Sequence, residues 1–292
     1  MGNCCGSARP GHFQSIYSIE ADGKSIFEYC ITTDQFFQYH LPFQLPAMCK
    51  YCEILSDKLL ITGGFKRLKT RLGESLNSVY IFSKDSGLIP VKNLENPRTG
   101  QCLIPFQNTV FLISGIISQL EPTASCLKFD YFSNTWSGIS PISKPRVLAA
   151  GCCLSTFLYI TGGNSGYSLQ NFRDVEQYDI ISDSWTLCVV KLPMDIWRHT
   201  CLPFKSGLII FGGNGNRSYN LDCFKVDLES NIIVQQTWML QGGEFSGCNL
   251  STNFGIYAFE TSHSKVVWVF SQNKWSSKVR KNVKVLNYDN FL

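Results

Sequence analysis

A pair of small residues recurs after an apolar run at a nearly constant interval along this chain of 292 residues. The pairs are Gly63-Gly64, Ser114-Gly115, Gly162-Gly163 and Gly212-Gly213, and their second residues lie 48 to 51 positions apart. This interval is the length of four short strands with their turns, repeated as a structural unit. Glycine accepts positive φ and close backbone contact, so it suits a tight exit from a strand. The repeat therefore predicts an all-β protein built from successive small sheets.

Aromatic residues seven positions apart form a second repeated signal. The residues between them are polar and rich in Asp, Asn and Ser, which is typical of a hairpin turn between two strands. Two such pairs follow a small-residue pair, and two lie near the ends of the chain, where no glycine pair occurs: Phe129 and Trp136, Tyr178 and Trp185, Tyr29 and Phe36, Trp268 and Trp275. The repeat therefore extends over nearly the whole sequence.

An arginine, twice preceded by proline, forms a third signal ahead of the small-residue pairs. Arg98 and Arg146 stand 17 residues before the second glycine, and Arg198 stands 15 residues before it. The three signals in this order resemble the kelch repeat, and the resemblance covers the chain from about Phe13 onward. It implies four-stranded blades around a central axis, which is the β-propeller architecture. We expect residues 13–292 to form the propeller and residues 1–12 to be a flexible tether.

Counting strands predicts six blades. Four blades are expected at Cys49–Leu94, Gly100–Ser140, Ala149–Val190 and His199–Leu240, and a fifth at Phe245–Val279. The N-terminal region has three strands, and the C-terminal segment Lys284–Asp289 has one. We expect this last strand to pair beside Ser15–Ile19, so that strands from both ends complete a sixth blade. Such closure removes the exposed sheet edges that promote aggregation.

Composition and cysteine usage exclude several classes of protein. The net charge of +4 is too weak to indicate nucleic-acid binding, and the longest apolar stretches are too short to cross a bilayer. The 13 cysteines have no framework spacing, so we expect reduced thiols in the cytoplasm. Cys49 and Cys52 form a C-x-x-C, but an offset of three on a strand places the two thiols on opposite faces. No metal and no cofactor are expected.

Connections between strands collect the candidate binding residues. In a four-stranded blade, the loops before the first strand and after the second strand share one end of the ring. Arg98, Arg146 and Arg198 precede first strands, and Lys66 and Arg67 lie in a long loop after a second strand. Together they predict a cationic mouth that binds an acidic peptide or phosphate through bidentate arginine. The resemblance implies the same, because several kelch proteins bind partner peptides on this face.

Two simpler interpretations of these residues stay open. An arginine after proline can anchor the start of a blade by hydrogen bonds to neighbouring loops. A lysine- and arginine-rich loop is often only a solvated surface. The favoured function is a non-catalytic scaffold that binds a partner protein or peptide.

The alternative function is an enzyme that acts on a carbohydrate, because six-bladed kelch proteins include a sialic-acid mutarotase. Such an enzyme needs acid and base groups at the channel mouth. Glu53, Asp195 and Glu244 are the only candidates for these groups, and no motif singles them out. A copper site of the galactose oxidase kind cannot be assembled from the four histidines.

The N-terminal segment resembles a lipidation signal. Gly2 would become the terminus after removal of Met1 and accept myristate, and Cys4 and Cys5 would accept palmitate. Gly6 departs from the strict pattern, which has Ser or Thr at that position. Two lipid signals are needed for stable attachment, because one myristoyl chain binds a membrane only marginally. We expect a cytoplasmic protein held peripherally at a cytosolic membrane face, with an unmodified N-terminus as the alternative.

Overall fold

The computed structural model describes residues 15–55, 57–66, 73–117, 121–166, 170–215, 220, 222–236, 245–252, 255–260, 266–271, 274–279 and 283–287. These residues form 26 β-strands and contain no helix. The strands assemble into six sheets of four strands and one small sheet of two. The confirmed architecture is therefore all-β.

The six sheets are numbered as blades in chain order. Blade 1 contains β1 (Ser15–Ile19), β2 (Ser25–Cys30), β3 (Gln35–His40) and β26 (Val283–Asn287). Blade 2 contains β4 (Lys50–Glu53), β5 (Lys58–Thr62), β8 (Val79–Ser83) and β9 (Gly87–Pro90), with the small sheet of β6 (Phe65–Lys66) and β7 (Glu74–Ser75) between its second and third strands. Blade 3 contains β10 (Cys102–Phe106), β11 (Thr109–Ile113), β12 (Cys126–Asp130) and β13 (Thr135–Ile139).

The remaining blades repeat this plan. Blade 4 contains β14 (Ala150–Leu154), β15 (Phe157–Thr161), β16 (Asp174–Asp179) and β17 (Ser184–Lys191). Blade 5 contains β18 (Thr200–Phe204), β19 (Gly207–Phe211), β20 (Cys223–Asp227) and β21 (Ile232–Gln236). Blade 6 contains β22 (Phe245–Thr252), β23 (Gly255–Glu260), β24 (Val266–Ser271) and β25 (Lys274–Val279).

First strands of successive blades contact one another around the centre. The contacts run from β4 to β10, β14, β18 and β22, and β22 also contacts β1. The sheets face their neighbours, and apolar side chains fill the seams between them, as Cys102, Phe111, Leu158 and Tyr178 do between blades 3 and 4. Burying these faces removes apolar surface from water, which is the dominant stabilising term. The prediction of a six-bladed propeller is confirmed.

The aromatic pairs join neighbouring blades as well as neighbouring strands. Phe129 stands opposite Trp136 with ring centroids 5.0 Å apart. The Trp136 indole donates a hydrogen bond to the carbonyl oxygen of Lys92 in the preceding blade, at 2.9 Å. Trp185 donates in the same way to the carbonyl oxygen of Ser140, at 2.8 Å. The spacing found in the sequence thus marks a contact that fixes the packing of one blade on the next.

The last aromatic pair was wrongly predicted. Trp275 stands opposite Phe270, whereas Trp268 stands opposite Ser277. The connection between β24 and β25 is shorter than those of blades 3 and 4, so the residues that face each other lie five positions apart rather than seven. At the other end of the chain, Tyr29 does face Phe36, as predicted.

The terminal blade is closed at its outer edge, which corrects the predicted pairing of Lys284–Asp289 with Ser15–Ile19. The strand order is β1, β2, β3, β26, and β26 runs parallel to β3. Only three residues separate β25 from β26, and Lys278 in β25 forms an ion pair of 2.8 Å with Asp34, which lies just before β3. The chain is thereby delivered to the outer edge of blade 1. Within the described residues β1 has no strand on its inner side, and β4 contacts β22 directly.

Candidate interaction face

Two sets of connections meet at one end of the ring, as the sequence predicted. One set precedes the first strand of a blade, and the other follows the second strand. We call this end the loop face. Isolated antiparallel bridges join the two sets: Ala47 with Phe65, Thr99 with Ile116, Val147 with Asn164, and Trp197 with Asn214.

Arg98 lies at the loop face but is only 2% exposed. Its Nη1 donates to the carbonyl oxygens of Ser114 and Ser125, each at 3.0 Å, and its Nη2 donates to the Ser125 hydroxyl at 2.8 Å. Its Nε is buried without a hydrogen-bond partner in the described part of the chain. Burial lowers the pKa of Arg98, because a desolvated cation is disfavoured.

Arg146 occupies the corresponding place in blade 4 and is 1% exposed. Its Nε and Nη2 donate to Glu176 Oε1 at 3.1 and 2.6 Å, and its Nη1 donates to the carbonyl oxygen of Gly162 at 2.8 Å. The guanidinium carbon also lies 5.1 Å from the centre of the Phe172 ring. Glu176 is equally buried, so this is a fully desolvated ion pair.

Arg198 does not occupy the equivalent position, although the sequence grouped it with the other two. The second glycine of the preceding blade donates its amide to the residue at this position: Gly64 to Arg98, Gly115 to Arg146, and Gly163 to Ile196. Ile196 is therefore the counterpart in blade 5, and Arg198 comes two residues later, as its shorter spacing of 15 residues indicates. Arg198 is exposed and has a left-handed backbone with φ 55°.

The three arginines thus fall into two classes. The side chains of Arg98 and Arg146 are buried against carbonyl oxygens of their own blade, which favours the interpretation that they anchor the blade start. Arg198 is exposed on the loop face, where a partner can reach it.

Lys66 is exposed in β6, also on the loop face. Arg67, together with the lipidation candidates Gly2, Cys4 and Cys5, lies outside the described residues.

The carboxylates considered for the enzyme alternative do not converge. Glu53 ends the first strand of blade 2, at the end of the ring opposite the loop face, and Asp195 lies in a connection at the loop face. Burial raises the pKa of Glu53 to about 7, and its Oε1 accepts a hydrogen bond from the amide of Asp57. Glu244 lies outside the described residues.

Two buried polar residues at the loop face were not foreseen from the sequence. Gln101 and His199 each stand immediately before the first strand of a blade and bind a threonine of the preceding blade, Thr62 and Thr161 respectively. The signal in the sequence is a threonine that ends the second strand, 39 or 38 residues ahead of the polar residue. Such a pair is visible only once the seams between blades are known.

Metal and membrane signals were examined over the residues that the structure describes. No group of three or more His, Cys, Asp or Glu side chains in these residues could hold a metal ion. The same residues contain no helix long and apolar enough to cross a membrane.

Known proteins share the repeat and the fold. A family model described as the Kelch motif matches residues 145–189. Kelch-like protein 23 of Homo sapiens is 28% identical over 107 residues, which cover 37% of this chain and 18% of that protein. Kelch-like protein 15 of Mus musculus is 22% identical over 232 residues, which cover 73% of this chain and 37% of that protein. The chain therefore spans well under half the length of these relatives.

A solved structure titled YjhT superimposes with a TM-score of 0.60 at 15% sequence identity, covering 79% of this chain and 86% of that chain. This likeness concerns the fold alone. The repeat signals, the ring of four-stranded blades and the matches to kelch proteins agree with one another. The chain is a kelch-repeat β-propeller.

Proposed function

We propose that this propeller is a non-catalytic interaction module that binds a partner protein or peptide through its loop face. Kelch-like relatives support the general class of protein-interaction propeller. The observation that carries the proposal is the contrast in exposure at the loop face: Arg98 and Arg146 are consumed inside the blades, whereas Arg198 and Lys66 are exposed. The exposed pair is therefore the contact set, and the buried pair supports it.

The partner segment is acidic on this proposal. A guanidinium binds a carboxylate through two parallel hydrogen bonds, which gives direction as well as attraction. The backbone under Arg198 is fixed, since its amide donates to the carbonyl oxygen of Leu148 at 2.9 Å. A side chain held on a rigid base loses less entropy on binding than one on a mobile loop.

Charge reversal tests the proposal with a control that the chain itself supplies. Lys205 is exposed and has a left-handed backbone with φ 55°, like Arg198, but it lies in a turn at the opposite end of the ring. Partners recovered with the wild-type protein from its native cell are expected to be lost with Arg198→Glu plus Lys66→Glu, and retained with Lys205→Glu. The melting temperature of all three variants should match that of the wild type. Equal recovery by the loop-face variant would refute the proposal.

We further propose that the N-terminus tethers the propeller to a cytosolic membrane surface. The support is the sequence Gly2-Asn3-Cys4-Cys5, which resembles a myristoylation signal followed by palmitoylated cysteines. Gly2→Ala should move the protein from the membrane fraction to the soluble fraction, and Ser7→Ala should not. Mass spectrometry of the native protein with an unacylated Gly2 would remove the tether while leaving the loop-face proposal intact.

A further inference from the structure

Gln101 and His199 form the same seam contact in two different blades. Each precedes the first strand of its blade, and each places Nε2 on a threonine that ends the second strand of the preceding blade. The distances from Nε2 to the threonine hydroxyls are 3.0 Å for Gln101 and 2.7 Å for His199. Gln101 is 0% and His199 6% exposed, so both contacts are excluded from bulk water.

Hydrogen-bond logic fixes the orientation of both side chains. Gln101 Nε2 also lies 3.2 Å from the carbonyl oxygen of Thr62, which can only accept, so the amide nitrogen must face it and Oε1 must face away. The Thr161 hydroxyl donates to the carbonyl oxygen of Ala150 at 3.2 Å. It must then accept from His199, which places the imidazole proton on Nε2 and leaves Nδ1 as an acceptor.

Two acceptors are thereby left without a donor. Gln101 Oε1 and His199 Nδ1 are both buried and lack a hydrogen-bond partner in the described part of the chain. A buried polar atom without a partner is costly, and native structures rarely leave one unsatisfied. The blade between them carries only the methyl group of Ala149 at the equivalent position. Two matching acceptors around the inner edge of one face indicate a bound group that donates hydrogen bonds.

A cation stands near the same inner edge. Lys50 begins the first strand of blade 2, which lies across the ring from blade 5 and next to blade 3. Burial lowers the pKa of His199 to about 3, and the charge of Lys50 contributes to the lowering. The same charge acts on Cys102, which directly follows Gln101. A ligand here meets one positive charge and two hydrogen-bond acceptors.

We propose that the inner edge of the loop face, between Gln101, His199 and Lys50, binds a small oxyanion that carries a hydroxyl group. The hydroxyl donates to a buried acceptor, and an anionic oxygen accepts from the Lys50 ammonium. Amines supply donors, but the positive charge of Lys50 repels them. Fully deprotonated anions satisfy Lys50 and leave the acceptors unpaired. The site is separate from the exposed Arg198 and Lys66, so it does not depend on the proposed partner.

Inorganic phosphate and sulfate distinguish these requirements, because phosphate at neutral pH keeps a hydroxyl and sulfate has none. The full chain labelled with ¹⁵N is titrated with each anion, and its imidazole nitrogens are followed in long-range ¹H–¹⁵N spectra. The chain has four histidines, so the His199 signals are assignable from their loss in His199→Ala. Phosphate should shift the Nδ1 resonance of His199 and leave that of His40 in place, and sulfate should shift neither. Equal shifts with both anions, or none with phosphate, would overturn the proposal.

Variants matched to other blades guard against misfolding. His199→Gln copies Gln101, His199→Ala copies Ala149, and Lys50→Thr copies Thr200, the residue that begins the first strand of blade 5. His199→Gln should retain phosphate binding, because glutamine makes the same threonine contact and offers the same acceptor. His199→Ala and Lys50→Thr should each weaken it about tenfold or more. Unchanged affinity in both weakened variants would show that phosphate binds elsewhere.

Discussion

Blades 3 and 4 begin with the same Pro-Arg pair, yet the two arginines are satisfied in different ways. Arg146 is neutralised by the buried carboxylate of Glu176, whereas Arg98 binds only carbonyl oxygens and the Ser125 hydroxyl. Strand register explains the difference, because the residue equivalent to Glu176 in blade 3 is Leu127. In blade 5 the arginine itself is replaced by Ile196, and the carboxylate position holds Phe224.

The comparison shows what a blade start requires. A long side chain must fill the space under the loop, and its polar atoms must be satisfied, but a charge is not essential. This agrees with the general finding that a buried ion pair can be replaced by packed apolar residues, while removal of one partner is strongly destabilising. The Pro-Arg motif is therefore a packing solution in this protein before it is a binding motif.

The largest effect is expected when blade 4 is given the composition of blade 3 at one position. Glu176→Leu leaves Arg146 buried without its carboxylate and should reduce the free energy of unfolding by about 3–5 kcal/mol. Denaturant titration measures the change. Gln177→Leu on the opposite face of the same strand is the control and should cost less than about 1 kcal/mol. A small loss in Glu176→Leu would mean that the carbonyl contacts alone suffice for Arg146.

A smaller effect is expected from the converse change in blade 3. Leu127→Glu offers Arg98 the carboxylate that blade 4 has, while removing apolar contacts of Leu127. A double-mutant cycle with Arg98→Ala isolates the interaction between the two side chains, and we expect it to be favourable by about 1–2 kcal/mol. A coupling energy near zero would show that blade 3 orients its arginine differently from blade 4.

The smallest net effect should come from moving the blade 5 solution into blade 4. Arg146→Ile combined with Glu176→Phe removes both charges together and supplies apolar volume in their place. The double variant should unfold within about 1 kcal/mol of the wild type in the same denaturant titration. Arg146→Ile alone leaves Glu176 buried and should be clearly less stable. A double variant as unstable as the single one would show that the ion pair is needed for the fold of blade 4.

The fold could be predicted because its signals are local and repeated. Glycine pairs are required where a strand turns sharply against its neighbour: a Cβ added at Gly63 would lie 2.2 Å from the carbonyl oxygen of Arg98. The position of the last strand could not be predicted, because no residue in it distinguishes the inner from the outer edge of a blade.

The candidate site was harder to predict than the fold. Exposure of Arg98 and Arg146 was expected from their place beside loops, but burial depends on which residues of the same blade accept their protons. The grouping of Arg198 with them failed because two missing residues in the spacing shift it past the anchoring position. Gln101 and His199 carry no local signal, since each acts through a threonine in another blade.

The outer placement of β26 bears on how the protein is made. The ribosome releases the N-terminal strands first and β26 last, so the outer edge of β3 stays unpaired through the synthesis of every other blade. An unpaired strand edge on a nascent chain is a template for unwanted pairing with other chains. The inner strands can gather before the final segment emerges, and that segment then covers the waiting edge. Translation speed over the last codons is thereby coupled to the time during which the nascent protein can aggregate.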